Sequence, residues 1–152
     1  MTQNSLILPV FEPLYDGLTK YTDTAVRVGA GLFLVPHGAQ KLFGWFGGYG
    51  PAATGQFFEQ QLGFSNGLLM AVAAGSVEFF GGVMLALGLL TRPAAAAASV
   101  LLLVALTMHV SSGFFWTEGG FEYPLLWLIV TLTFVVKGGG AYSLDRMIGR
   151  EF

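Results

Sequence analysis

Four ionisable side chains stand inside otherwise apolar stretches: His37 and Lys41 in one, Glu78 in a second and His109 in a third. An ionisable group within a bilayer costs on the order of 3 kcal/mol on insertion scales, so each of the four asks for a reason. His37 and Lys41 are four residues apart and share one face of a helix. Glu78 shares a face with Ala71, Gly75 and Gly82, small residues that admit a neighbouring backbone, so its carboxylate is expected to point into a bundle. Counting from the outer ends of the stretches at about 1.5 Å per residue puts Lys41 and His109 roughly 6 to 8 Å deep, and His37 and Glu78 roughly 13 to 17 Å deep. Glu118 and Glu122 could reach the upper level, and Pro36 leaves the Leu32 carbonyl without its helical partner beside His37.

Imidazoles that titrate near neutrality, a carboxylate and an ammonium can exchange protons or hydrogen-bond a polar ligand. They can equally form a lock, with Lys41 and Glu78 neutralising each other and the histidines bonding across helices. Their gathering in one half of a small bundle, beneath the aromatic residues Phe43, Trp45, Phe115 and Trp116, favours a ligand site. The two histidines lack metal-ligand spacing, so no metal is expected. With no cysteine in the chain there is no thiol relay and no thiolate-held cluster. The glycine-rich run at residues 44–48 lacks the Lys-Ser/Thr of a phosphate cradle and reads as interface punctuation.

The elements that must hold these groups follow from composition. Of 152 residues, 54% are hydrophobic and 11% charged, about half the charged share of a soluble domain. The apolar excess falls in four blocks, at about 26–46, 67–90, 94–113 and 123–136, each matched to a bilayer core. The reading is an all-α integral membrane four-helix bundle over residues 23–140. A cytoplasmic arm is expected at 1–22, where no secretory signal is seen, and a cytoplasmic tail at 141–152. Between the first two blocks, the stretch 56–62 has the pattern of a short amphipathic helix lying on the surface. Lys20, Arg27, Arg92, Lys137, Arg146 and Arg150 fall on one side and only Lys41 near the other, which gives N-in and C-in. Arg27 and Arg92 read as topology anchors that could also hold a lipid head group. The net charge of -2, without a basic stripe, excludes a nucleic-acid partner.

At these residues the chain resembles the DoxX family of small four-helix membrane proteins. The stretches that carry the resemblance are Pro36-His37-Gly38-Ala39-Gln40-Lys41-Leu42-Phe43-Gly44, Val77-Glu78-Phe79-Phe80-Gly81-Gly82, Leu87-Gly88-Leu89-Leu90-Thr91-Arg92-Pro93 and Met108-His109, within residues 22–145. The resemblance implies a multi-pass plasma-membrane protein of a bacterium or archaeon. The best described relatives are subunits of a thiosulfate:quinone oxidoreductase, and other members are associated with redox or oxidative-stress partners. The thiosulfate enzymes need a second subunit, so what carries over is a membrane-embedded redox role with quinone as the implied cofactor, alongside a redox partner protein. On this expectation Lys41 and His109 hydrogen-bond the quinone carbonyls and His37 and Glu78 handle the protons. Phe43, Trp45, Phe115 or Trp116 would pack on the ring, with Glu122 at the edge. No flavin motif is present. The alternatives are a non-catalytic scaffold for partner enzymes and a small-solute or proton-coupled carrier, which would call for a homo-oligomer.

Overall fold

The computed structural model describes residues 6–151; the first five residues of the expected arm and Phe152 of the expected tail lie outside the described residues. Among the described residues all regular structure is helical. The first helix, α1 (Glu12–Phe43), has Pro13 in its first turn and ends at Gly44, whose left-handed backbone (φ 69°) lets its N–H reach the Ala39 carbonyl. At 32 residues it is about 48 Å long, so it starts well before residue 26 and outruns a hydrocarbon core of about 30 Å. Pro36 lies within it.

After a 3-10 turn, α2 (Gly50–Leu62) stops at Gly63. It covers the start of α3 (Gly67–Leu87): Glu59 accepts the Gly67 N–H at 2.8 Å, and Asn66 accepts the Leu69 N–H at 3.1 Å. Two of the orphan donors at that helix start are thereby satisfied by side chains. Inside α3, residues Val77–Gly81 wind as a π turn, which carries one residue more than an α turn and presents Glu78 to the interior. Next come α4 (Thr91–His109), α5 (Glu122–Lys137, with Pro124 in its first turn) and the single-turn α6 (Leu144–Met147).

Small residues decide the packing. A Cβ on Gly31 would strike the backbone of Gly82 and Ala86, and one on Gly38 the backbone of Gly75 and Phe79, so α1 and α3 approach as closely as backbones can. The helices α4 and α5 are joined by a hydrogen bond of 2.8 Å between the Ser99 and Thr131 hydroxyls. Ala30, Leu34, Leu85, Ala95, Ala98 and Phe134 form the core cluster. Most large apolar side chains, among them Leu32, Phe33, Leu69, Val100, Leu103 and Ile129, face outward instead. Two helical stretches, Gly67–Leu87 and Thr91–Ser112, are long and apolar enough to cross a membrane, and only 28% of the most apolar window of each is buried.

Candidate functional site

Lys41 and Glu78 meet where α1 crosses the π turn of α3. A side chain at Gly75 would collide with the Lys41 stem and Leu42, so the glycine is what allows the lysine to lie along α3 and reach the carboxylate. The Lys41 ammonium donates to both carboxylate oxygens, at 2.9 Å and 2.7 Å. Glu78 is 7% exposed, whereas the Lys41 side chain is 23% exposed. The buried carboxylate is therefore satisfied mainly by this one partner, and the lysine, whose Nζ also lies 3.5 Å from the His37 carbonyl, keeps one edge open.

That open edge borders two cavities. One, of about 430 Å³, lies between α2, α3 and α4; Lys41, Glu78 and His109 are its polar groups, and its walls include Phe57, Phe58, Val77, Leu101 and Met108. The other, of about 530 Å³, lies under the turn at Gly47, Gly48 and Tyr49 and is closed on its far side by Thr54, Phe57 and Phe58 of α2. Lys41, Phe57 and Phe58 belong to both. His109 sits at the rim of the first, with Nδ1 2.7 Å from the Ala105 carbonyl. A carbonyl only accepts, so Nδ1 carries the proton, and Nε2 of the neutral ring is left as an acceptor.

Lys41, Glu78 and His109 thus share one cavity, and the other nominated residues stand apart from it. His37 is exposed and lines neither cavity. Phe43 packs on Trp45 (4.9 Å between centroids) and edge-on to Phe79 (5.2 Å). Trp116 is stacked on Tyr123 at 5.1 Å, and Phe115 stands in the same loop against Phe114. Glu122 closes that loop by accepting the Trp116 N–H at 3.1 Å. The aromatic walls come from Phe57, Phe58 and Phe64, which were not nominated. The amphipathic pattern of 56–62 was the available signal, since an apolar helix face has to cover something.

A second polar centre lies at the opposite end of the molecule. Arg27 is 1% exposed and donates to the carbonyls of Leu85 (2.7 Å), Ala86 (2.6 Å) and Tyr142 (2.6 Å), so it caps the C-terminus of α3. This corrects its reading as a head-group ligand, because its guanidinium is closed off by protein. Arg92 is half-exposed and pairs with Glu151 at 3.7 Å. Asp145 accepts the N–H groups of Leu90 (2.7 Å) and Thr91 (2.9 Å) and the Thr91 hydroxyl (2.7 Å) at the start of α4. Burial pushes its carboxyl up, but these hydrogen bonds and the charge of Arg27 outweigh burial and hold it below the ordinary carboxylate value. Among the described residues, no three His, Cys, Asp or Glu side chains are grouped to hold a metal ion.

Comparison with known proteins gives the following. The sequence model of the DoxX family matches residues 22–110. Two uncharacterised proteins of Haemophilus influenzae are similar to the chain. One is 33% identical over 82 residues, covering 53% of this chain and 54% of that protein, and the other is 40% identical over 81 residues, covering 51% and 60%. The chain thus spans little more than half the length of these curated relatives. No solved structure matches it.

Proposed function

Because the chain belongs to the membrane-associated DoxX family, we propose that it is a multi-pass plasma-membrane protein whose cavity beside Lys41, Glu78 and His109 takes a quinone head group, acting with a redox partner protein. The observation that carries the reading is the cavity itself: about 430 Å³, apolar on most sides, with an ammonium–carboxylate pair in its wall and an imidazole at its rim. That size and balance suit a small amphiphile held by a few convergent polar groups. The outward apolar surface of α3 and α4 supports two spans; α1 and α5 complete a four-helix bundle with both termini inside, as the basic residues indicate.

A bound quinone supplies two-electron, two-proton chemistry, the electrons being exchanged with the partner protein. In this chain Lys41 donates a hydrogen bond into the cavity from its open edge. Glu78, once its lysine turns toward the ligand, can take up or release a proton. His109 accepts a hydrogen bond through Nε2 when neutral and donates one when protonated. Phe57 and Phe58 provide the faces on which a ring packs.

Lys41→Met combined with Glu78→Gln, and separately His109→Phe, should leave folded protein that co-purifies with about tenfold less quinone or lower, since a lost hydrogen bond to a charged group is worth about 1.5 to 3 kcal/mol. Parent-like quinone content in both folded variants would overturn the proposal. A scaffold role is the second reading, and the bidentate closure of Lys41 on Glu78 favours it, because a pair that satisfies itself also serves as a lock.

A further inference from the structure

Threonines on the helices of this chain return their hydroxyls to a carbonyl three or four residues earlier, as Thr19, Thr24, Thr107 and Thr133 do. Thr54, on α2, does not. It is only 9% exposed, yet among the described residues its hydroxyl has no hydrogen-bond partner. It lines the cavity of about 530 Å³ under the turn at residues 47–49. A buried hydroxyl without a partner is costly, so its place in a cavity wall points to a ligand atom opposite it.

Lys41 faces the same space. Of its three ammonium protons, two serve the Glu78 oxygens at 2.9 Å and 2.7 Å, and the third has only the His37 carbonyl, at 3.5 Å. Charge then separates the two cavities. Glu78 lines the one between α2, α3 and α4, whereas the one under the turn has Lys41 and no acidic side chain in its wall. A negatively charged acceptor is therefore favoured under the turn and disfavoured beside the carboxylate. Because Lys41 is already paired with Glu78, it can balance no more than a single negative charge. Phe57 and Phe58 offer ring faces to the rest of the ligand, which is accordingly apolar.

The walls are fixed from both ends. A Cβ on Gly48 would strike the backbone of Gln40, and one on Gly55 the backbone of Leu68, so the turn is seated on α1 and α2 on the start of α3. Between these contacts the chain bridges a gap, which Lys41 faces from α1 and Thr54 from α2. Tyr49 lines it and is 84% exposed, so the cavity opens to water. We infer that the cavity under the turn is a second ligand site, for a small water-soluble monocarboxylate with an apolar body. Its carboxylate accepts from Lys41 and Thr54, and its body lies against Phe57 and Phe58. The site is separate from the one proposed for quinone and does not depend on what that cavity binds.

The test titrates para-fluorobenzoate into the detergent-solubilised full chain, followed by fluorine NMR, with para-fluorobenzamide as the uncharged counterpart. The benzoate should bind saturably and the amide several-fold more weakly, since charge-assisted hydrogen bonds are the stronger ones. Thr54→Val keeps the shape and loses the hydroxyl, so it should weaken the benzoate about tenfold, and Thr54→Ser should restore it. Ala97→Leu, which narrows only the neighbouring cavity, should bind as the parent does. Benzoate that does not saturate overturns the inference and leaves water as the occupant. So does an amide that binds as tightly, a Thr54→Val variant with parent affinity, or a loss in Ala97→Leu as large as in Thr54→Val. Should Thr54→Val fail to fold, Ala53→Leu fills the same cavity from another part of α2, and parent affinity in that variant overturns the inference equally.

Discussion

Asp145 reaches back across 54 residues of sequence to Thr91, accepting both its backbone N–H and its hydroxyl in a buried contact. The contact makes a residue of the tail the N-terminal cap of α4. Replacing it with Asn keeps the shape but turns an amide donor toward donors, so Asp145→Asn is expected to lower stability by about 1 to 3 kcal/mol at neutral pH. Thermal melts of detergent-solubilised parent and variant measure this.

The same carboxylate sets an acid limit. Its folded-state value lies below the unfolded one, so its contribution is fully present above the ordinary carboxylate range and is lost as pH falls through the folded-state value. The difference in melting temperature between parent and Asp145→Asn should therefore be constant from neutrality down to about pH 5 and shrink below about pH 4. A difference unchanged at pH 3 would refute the linkage.

Gly38 and Gly17 lie on the same helix and should respond oppositely to alanine. At Gly38 the new methyl group meets backbone atoms of α3, which cannot move aside without parting the helices, and a loss of about 1 to 3 kcal/mol is expected. At Gly17 nothing lies within 4 Å, so Gly17→Ala should gain about 0.5 to 1 kcal/mol through helix propensity alone. Equal effects at the two sites would contradict the close approach of α1 and α3.

Because Glu78 is more deeply buried than Lys41, removing either partner should not hurt equally. Lys41→Met strands a buried carboxylate and is expected to lose about 3 kcal/mol or more; Glu78→Gln leaves a lysine that can still reach water and should lose less. The double variant should return close to the parent. Unfolding of all three variants, followed by circular dichroism, checks the order.

The hydroxyls of Ser99 and Thr131 provide a cleaner pair, since either can donate to the other or to a carbonyl of its own helix, Ala95 for Ser99 and Leu128 for Thr131, their two protons serving two of these three contacts at a time. Ser99→Ala and Thr131→Val should each lose about 1 kcal/mol, and the double variant little more than either, a non-additivity that a double-mutant cycle reads directly.

The helical class was legible in the apolar blocks, and so were three members of the cavity. Glu78 was placed by its spacing from Gly75 and Gly82, which depends only on helix geometry. Lys41 and His37 share a face by the same geometry, yet only the lysine arrives, because a long flexible stem passes over Gly75 whereas an imidazole is held close to its own helix. The π turn left no trace in a run that is apolar apart from Ser76 and Glu78. Asp145 was invisible for a different reason: a single acid in a short polar tail has no period, and its partners lie 54 and 55 residues away. Arg27 was read as a topology anchor that could hold a lipid head group because sequence position cannot tell an arginine that faces head groups from one that closes on carbonyls.

The partners of Arg27 also fix an order of events in biosynthesis. Two of its carbonyl acceptors are made 58 and 59 residues after it, and the third 115 residues after it. At translation rates of roughly 5 to 20 residues per second, about 6 to 23 seconds pass between the synthesis of Arg27 and that of Tyr142. Until Tyr142 is made, the guanidinium has at most the two carbonyls at the end of α3 to bond. Its bond to the tail forms only once Tyr142 has emerged. One side chain thus ties the end of α3 to the tail, and a chain that stops short of Tyr142 lacks one of its three acceptors.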